Sequence, residues 1–243
     1  MIVKLRDHSD GDAVASELDR LGYDVLSVDL PYGRFLAGMG REEESAGEVE
    51  GLPGVEWVKA GAKGPVLAAL ERNPERTEVP VGHTTVGGAS LAIVAGPCSV
   101  EGRDQITTAA RFVAAYGATA LRGGAYKPRT SPYSFQGLGR DALALLQEAG
   151  RATGLPVVTE VMEPGEVETM IPYVDCFQIG ARAMQTFPLL RAAGQSGKPV
   201  LIKRGPASGL GEFLLAAEYV LVQGNPNVIL CERGIKTFET ATR

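Results

Sequence analysis

Hydrophobic positions change their rhythm twice along this chain. Up to about residue 70, short apolar runs trade places with amphipathic ones. MIVKL reads as a strand, Asp12 to Leu21 as a helix, YDVLSVDL and RFLAGMG as strands, GREEESAGEVEGL as a polar helix and VEWVKA as a strand. This βαββαβ order predicts a small ferredoxin-like α+β domain over residues 1–70. Lys59 to Glu78 is of mixed polarity and predicts a linker with a short helical piece around Val66 to Leu70. In EVPVGHTTVGG two β-prone runs flank Gly82 and His83, which predicts a hairpin within a linker region of 71–90. Its place before the larger domain suggests a plug on the bottom of a barrel.

From Leu91 strands alternate with amphipathic segments, the signature of a parallel α/β sheet. The strands are LAIVAGPCS, ATALRGGAY, PVVTEVM, DCFQIGA, PVLIKRG and NVILCERG. Helical patterns lie between them around 103–116, 139–153, 164–172, 186–195 and 209–223. Pro156 and Pro199 each precede a strand and stop the helix before it. Units of about 22 to 30 residues fit a (β/α)8 TIM barrel, of which about six units are present in 91–243. A Rossmann sheet is disfavoured, because the first strand runs into GPCSVEG and not into a GxGxxG turn.

Composition narrows the function classes. With 44% hydrophobic and 22% charged residues the chain has an ordinary globular make-up. Its net charge of −5 argues against nucleic-acid binding, and no apolar run approaches the roughly 18 residues of a membrane span. Cys98, Cys176 and Cys231 match no zinc spacing; with no signal peptide in view, an odd cysteine count suggests the cytoplasm.

Barrel enzymes keep their chemistry at the carboxyl ends of strands. Those ends carry Cys98, then Arg122, Lys127 and Arg129, then Glu160, Arg182, Lys203, Arg204, Glu232 and Arg233. Seven cations face two carboxylates there, although the whole chain is acidic. Such a rim suits phosphorylated or carboxylated metabolites, and a purely structural ion-pair network is disfavoured for want of acids. The densest stretch is Leu121 to Gly139, where glycines allow close backbone approach and Pro128 and Pro132 stiffen the loop. A solvated basic turn is the alternative for KPR alone. Elsewhere the acidic run Glu42 to Glu44 reads as a solvated helix face, and His8 is given no role. The residues leave Cys98 open as filler, nucleophile or metal ligand; without a histidine after Leu91, filler is preferred. Cys176 and Cys231 read as core.

AGPCSVE, LRGGAYKPRTSPYSFQGLG, TEVMEP, QIGAR, LIKRG and CERGIKTFETATR, taken together, resemble the 3-deoxy-D-arabino-heptulosonate 7-phosphate synthases. The resemblance is to the branch related to 3-deoxy-D-manno-octulosonate 8-phosphate synthase, and it covers about 77 to 243. It implies a cytoplasmic transferase of the shikimate pathway and aromatic amino acid biosynthesis, condensing phosphoenolpyruvate with erythrose 4-phosphate. By motif, Arg122, Lys127, Arg182, Lys203 and Arg233 are implied to hold phosphoenolpyruvate, and Lys127, Pro128, Arg129 and Thr130 erythrose 4-phosphate. Lys127 is implied to pass a proton to the aldehyde oxygen, and Glu160 to orient a water or a lysine. Cys98 becomes a ligand to a divalent metal of the Mn, Fe, Co or Zn class. The 1–70 domain is similar to a regulatory extension for an aromatic amino acid effector, in a homo-oligomer.

Two departures temper the resemblance. The sixth strand lies just before Arg243, so a longer parent is expected to supply two more strands and the remaining metal ligands, a histidine, a glutamate and an aspartate. PASGLGEF after LIKRG differs from the methionine-led segment of relatives and affects how Arg204 is placed. Two other readings remain: the octulosonate synthase, using arabinose 5-phosphate, and a non-catalytic regulatory subunit. KPRTS in place of a KANRS-like loop favours the four-carbon sugar.

Overall fold

The computed structural model describes residues 1–7, 11–41, 46–60, 64–71 and 73–239. His8 and Glu42 to Glu44 therefore lie outside the described residues. Two compact units make up the chain: Met1–Glu75 with Gly209–Pro226, and Arg76–Ser208 with Asn227–Arg243.

In the first unit the strands are β1 (Ile2–Leu5), β2 (Asp24–Leu30), β3 (Gly33–Met39) and β4 (Val55–Lys59), and the helices are α1 (Gly11–Arg20) and α2 (Ala46–Glu50). The antiparallel sheet has the order β2-β3-β1-β4, the ferredoxin-like arrangement that the pattern predicts. Val14 and Leu18, four apart on α1, reach the core with Val3, Leu5, Leu36, Val49 and Val55.

The second unit opens with the hairpin β5 (Val79–Val81) and β6 (Thr84–Val86), turning at Gly82 and His83 as expected. Six parallel strands follow: β7 (Val94–Ala95), β8 (Ala120–Arg122), β9 (Val157–Val161), β10 (Cys176–Ile179), β11 (Val200–Lys203) and β12 (Val228–Cys231). Helices α3 (Arg103–Ala115), α4 (Arg140–Thr153), α5 (Val167–Met170) and α6 (Phe187–Gln195) alternate with them, and α7 (Leu210–Leu221) joins β11 to β12. Sheet order β12-β11-β10-β9-β8-β7 follows the sequence, giving a partial (β/α) barrel.

Period-two alternation sorts the strand residues by face. Val81 of the hairpin packs with Ala120, Val158 and Cys176, joined by Leu201 and Ile229, so the hairpin plugs the inner face near the strand starts. Two residues further along each strand, the same face carries Arg122, Glu160, Gln178, Lys203 and Cys231. Phe177, Ile179, Val200 and Ile202, on the opposite face, are fully buried.

Four expectations about local structure are corrected. The first barrel strand shrinks to two residues, because Pro97 lacks an N–H and Gly96 breaks the extended run at φ 148°. The segment 164–172 splits into a 3-10 turn at Pro164–Glu166, the short α5 and another 3-10 turn at Ile171–Tyr173, since Pro172 cannot continue an α-helical ladder. Cys231 is only half-buried, on the edge strand β12 and on the inner face, whereas Cys176 is buried as expected.

Val66 to Leu70 forms turns and no helix. Glu218 of α7 explains this: its carboxylate accepts from the N–H groups of Val66 (2.8 Å) and Ala68 (2.7 Å). Tyr32 donates to the Leu67 carbonyl at 3.0 Å, and burial of Val66 and Leu67 completes the anchorage. Burial pushes the Glu218 carboxyl up, so its charge costs stability as pH rises through its native pKa. Glu218→Leu strands two amide donors and is expected to destabilise the chain by about 2 kcal/mol. Glu218→Gln keeps one acceptor and is expected to lose less. Urea unfolding of both variants checks this; equal stability of Glu218→Leu and the parent would refute it.

Candidate functional site

The loop after β8 is built by close backbone approach. A Cβ at Gly96 would lie 2.0 Å from the Arg122 carbonyl, so β7 and β8 meet only because glycine stands there. Beyond β8 the loop doubles back: Tyr126 bridges Gly137, and the Lys127 N–H donates to the Gln136 carbonyl at 2.8 Å. This fixes the Lys127 backbone and aims its side chain across the sheet end.

There the Lys127 ammonium lies 2.5 Å from Cys98 Sγ and 3.2 Å from the Cys98 carbonyl. Arg122 Nη1 donates to the Pro97 carbonyl at 3.0 Å. Arg182, from the turn after β10, donates to the Pro128 carbonyl at 3.1 Å and so holds the KPRT segment. On the inner face Gln178 Nε2 donates to Glu160 Oε2 at 2.7 Å.

Two adjoining cavities result. One of about 440 Å3 is lined by Lys127, Pro128, Thr130, Glu160, Gly180, Ala181, Arg182, Lys203, Pro206, Arg233 and Lys236. The other, about 450 Å3, is lined by Cys98, Lys127, Pro128, Arg129, Thr130, Ser131, Ser134 and Arg182. Lys127, Pro128, Thr130 and Arg182 belong to both. Of the residues expected to hold phosphoenolpyruvate, Lys127, Arg182, Lys203 and Arg233 meet in the first cavity, while Arg122 lines neither. The whole set Lys127, Pro128, Arg129 and Thr130 lines the second, with Cys98.

Electrostatics distinguish the groups. Burial, and then the charge of Arg122, push the Lys203 ammonium below its usual range, against the pull of Glu160. The Lys127 hydrogen bond draws the Cys98 thiol down, whereas burial pushes Cys176 up to about 12. Arg204, counted among the rim cations, is engaged elsewhere: it pairs with Glu232 at 2.8 Å and donates to the Ser208 carbonyl. Glu232 also accepts from the N–H groups of Arg233 and Gly234. For this pair the structural ion-pair reading is the correct one, and it leaves Glu160 as the carboxylate facing the cations.

Sequence reasoning missed Lys236 and Gln178. Lys236 stands three residues after Arg233, and its N–H donates to the Pro206 carbonyl at 2.5 Å. Counting cations through CERGIK would have found it. Gln178 is signalled as the polar member of the otherwise apolar strand CFQI.

A metal needs several convergent ligands, and among the described residues no three His, Cys, Asp or Glu side chains come together to hold one. Cys98 is the ligand candidate present, and its sulfur is engaged by Lys127. The donor set does not fit a whole metal site.

Comparison with known proteins accounts for this rim. The profile described as the DAHP synthetase I family matches residues 74–243. The chain belongs to the DAHP synthetase I family. It is 49% identical over 198 residues to the phospho-2-dehydro-3-deoxyheptonate aldolase of Thermotoga maritima, covering 82% of this chain and 59% of that protein. A 2-dehydro-3-deoxyphosphooctonate aldolase of Caulobacter vibrioides is 33% identical over 170 residues, 67% of this chain and 58% of that one. The crystal structure of the Thermotoga maritima aldolase, also called DAHP synthase, aligns over the whole chain and 72% of its own, at 42% identity and a TM-score of 0.72. This DAHP synthetase I chain thus spans about three fifths of the length of these two curated relatives. No helix among its described residues is long and apolar enough to cross a membrane.

Proposed function

We propose that this chain carries the substrate-binding rim of a 3-deoxy-D-arabino-heptulosonate 7-phosphate synthase, joining phosphoenolpyruvate and erythrose 4-phosphate. The observation that carries the reading is the pair of adjoining cation-lined cavities that share Lys127, Pro128, Thr130 and Arg182. Two phosphorylated substrates that must form one bond need adjoining sites, and cations balance their charge. Arg182, Lys203 and Arg233 take the phosphate and carboxylate of phosphoenolpyruvate. The KPRT segment takes the phosphate and hydroxyls of the aldose. C3 of phosphoenolpyruvate then attacks the aldehyde carbon while Lys127 gives a proton to the aldehyde oxygen. Water adds at C2, and inorganic phosphate leaves, so that one water is consumed per phosphate released. Cys98 is offered as a ligand to a divalent metal, which would supply Lewis-acid chemistry.

The same resemblance supports a regulatory role for the 1–70 domain with an aromatic amino acid effector, a catalytic role for the domain from Leu91, and a homo-oligomer. Identity of 49% with the heptonate aldolase against 33% with the octonate aldolase favours erythrose 4-phosphate over arabinose 5-phosphate. Phosphate release from phosphoenolpyruvate with each aldose tests this. Faster release with erythrose 4-phosphate is expected. Faster release with arabinose 5-phosphate would overturn the acceptor, and none with either would overturn the synthase reading.

A further inference from the structure

Gln178 is 4% exposed, and no role given above accounts for an amide in the middle of a buried strand. A buried amide must find partners or destabilise the fold. Its partner is Glu160, the residue paired with it across β9 and β10, with Nε2 donating to Oε2 at 2.7 Å. The other carboxylate oxygen fills space that glycine leaves free. A Cβ at Gly180 would lie 2.2 Å from Glu160 Oε1. Gly180 has an ordinary φ of −65°, so room for the carboxylate, and not backbone freedom, is what demands glycine.

Among the described residues, the other charged groups that line the cavity of Glu160 are of one sign. Lys127, Arg182, Lys203, Arg233 and Lys236 line the same cavity, and Arg122 acts on Lys203 from β8. A carboxylate free to turn among them would pair with one cation and withdraw it from phosphate binding. A neutral amide donor holds the carboxylate without adding charge.

We propose that Gln178 is a positioning residue, clamping Oε2 of Glu160 so that Oε1 is presented to the cavity as the acceptor for the water that adds to phosphoenolpyruvate. This rests on the synthase reading above. Gly180 is the second part of the device.

Gln178→Leu, Gln178→Glu and Glu160→Gln in the full chain test it, with circular dichroism melts to confirm folding. The first readout needs no turnover: the 13C chemical shift of the Glu160 carboxyl at fixed neutral pH, assigned by its loss in Glu160→Gln. In Gln178→Leu that resonance is expected to move, because Oε2 loses its hydrogen-bond donor. The second readout is kcat against KM. In Gln178→Leu kcat is expected to fall about 10- to 100-fold while KM for phosphoenolpyruvate changes less than about threefold. In Gln178→Glu an acceptor replaces the donor beside Oε2, and kcat is expected to fall at least as far as in Gln178→Leu. An unmoved Glu160 carboxyl resonance in folded Gln178→Leu would overturn the proposal. So would equal losses in kcat and in phosphoenolpyruvate affinity, the mark of a merely structural residue. An unsubstituted chain inactive with both aldoses would instead overturn the synthase reading, and the carboxyl resonance would still decide on Gln178.

Discussion

Replacing Lys127 by methionine is expected to lower turnover about 10³-fold, the usual scale for removing a positioned proton donor. Lys127 lines both cavities, so under the proposed function it would reach the aldehyde oxygen of one substrate while facing the other. Its backbone is pinned by the Gln136 carbonyl and its ammonium by Cys98, so little freedom remains to be lost on binding. Methionine keeps the unbranched stem and removes only the donors. Arginine keeps the charge but gives up no proton near neutral pH, so Lys127→Arg is expected to restore binding without restoring turnover. Phosphoenolpyruvate affinity is expected to fall only about tenfold in Lys127→Met, because Arg182, Lys203 and Arg233 remain. Phosphate release and calorimetric titration separate the two effects. A second readout is independent of turnover: without Lys127 the Cys98 thiol loses the largest cause of its lowered pKa, and alkylation at neutral pH slows. Undiminished turnover in the methionine variant would remove Lys127 from the chemistry.

Features set by near neighbours in the chain were legible before any coordinates. The hairpin around Gly82 and His83 follows from two β-prone runs and a two-residue turn. The cations at strand ends follow from period-two alternation, since Arg122 and Lys203 share a face with the plugged positions two residues earlier. Features set by distant partners were hidden. Turns at Val66 to Ala68 answer to Glu218, about 150 residues away, and no local pattern encodes that pairing. Arg204 reads in sequence as one more rim cation, and only the fold brings Glu232 across from the next strand. Composition likewise could not divide the cations between cavities. That Arg122 lines neither, yet acts on Lys203, depends on where β8 lies in the sheet relative to β11. Gln178 was hidden for a different reason: a lone amide in a strand has no meaning until the residue paired with it is known.

Lys203→Met is expected to make the unliganded protein more stable while cutting phosphoenolpyruvate affinity about 10- to 100-fold. Lys203 is half-buried beside Arg122, and both burial and that neighbouring charge disfavour its proton. Its native pKa therefore lies below the unfolded lysine value, taken as 10.5. Between the two values the unfolded chain holds a proton that the native chain has lost, so stability rises with pH across that window. Below the native pKa the charged amine is at its most costly. Methionine fills the same space without that cost, and the melting temperature of the variant is expected to rise by about 2–4 °C at neutral pH. The gain must shrink as pH approaches the lysine range, because the parent sheds the same charge there. Binding is expected to follow the opposite sign: if the protonated amine holds the phosphate as proposed, parent affinity falls as pH rises through the native Lys203 pKa, and the variant shows no such fall. Melting curves and phosphoenolpyruvate titrations at neutral and alkaline pH measure both. A variant less stable than the parent at neutral pH, with unchanged affinity, would mean that Lys203 is a packing residue and that the anion rests on Arg182 and Arg233 alone. The cost of seating a charged Lys203 without its ligand is what the proposed site for a phosphate and a carboxylate demands, since a bound dianion favours the charged amine and offsets that cost.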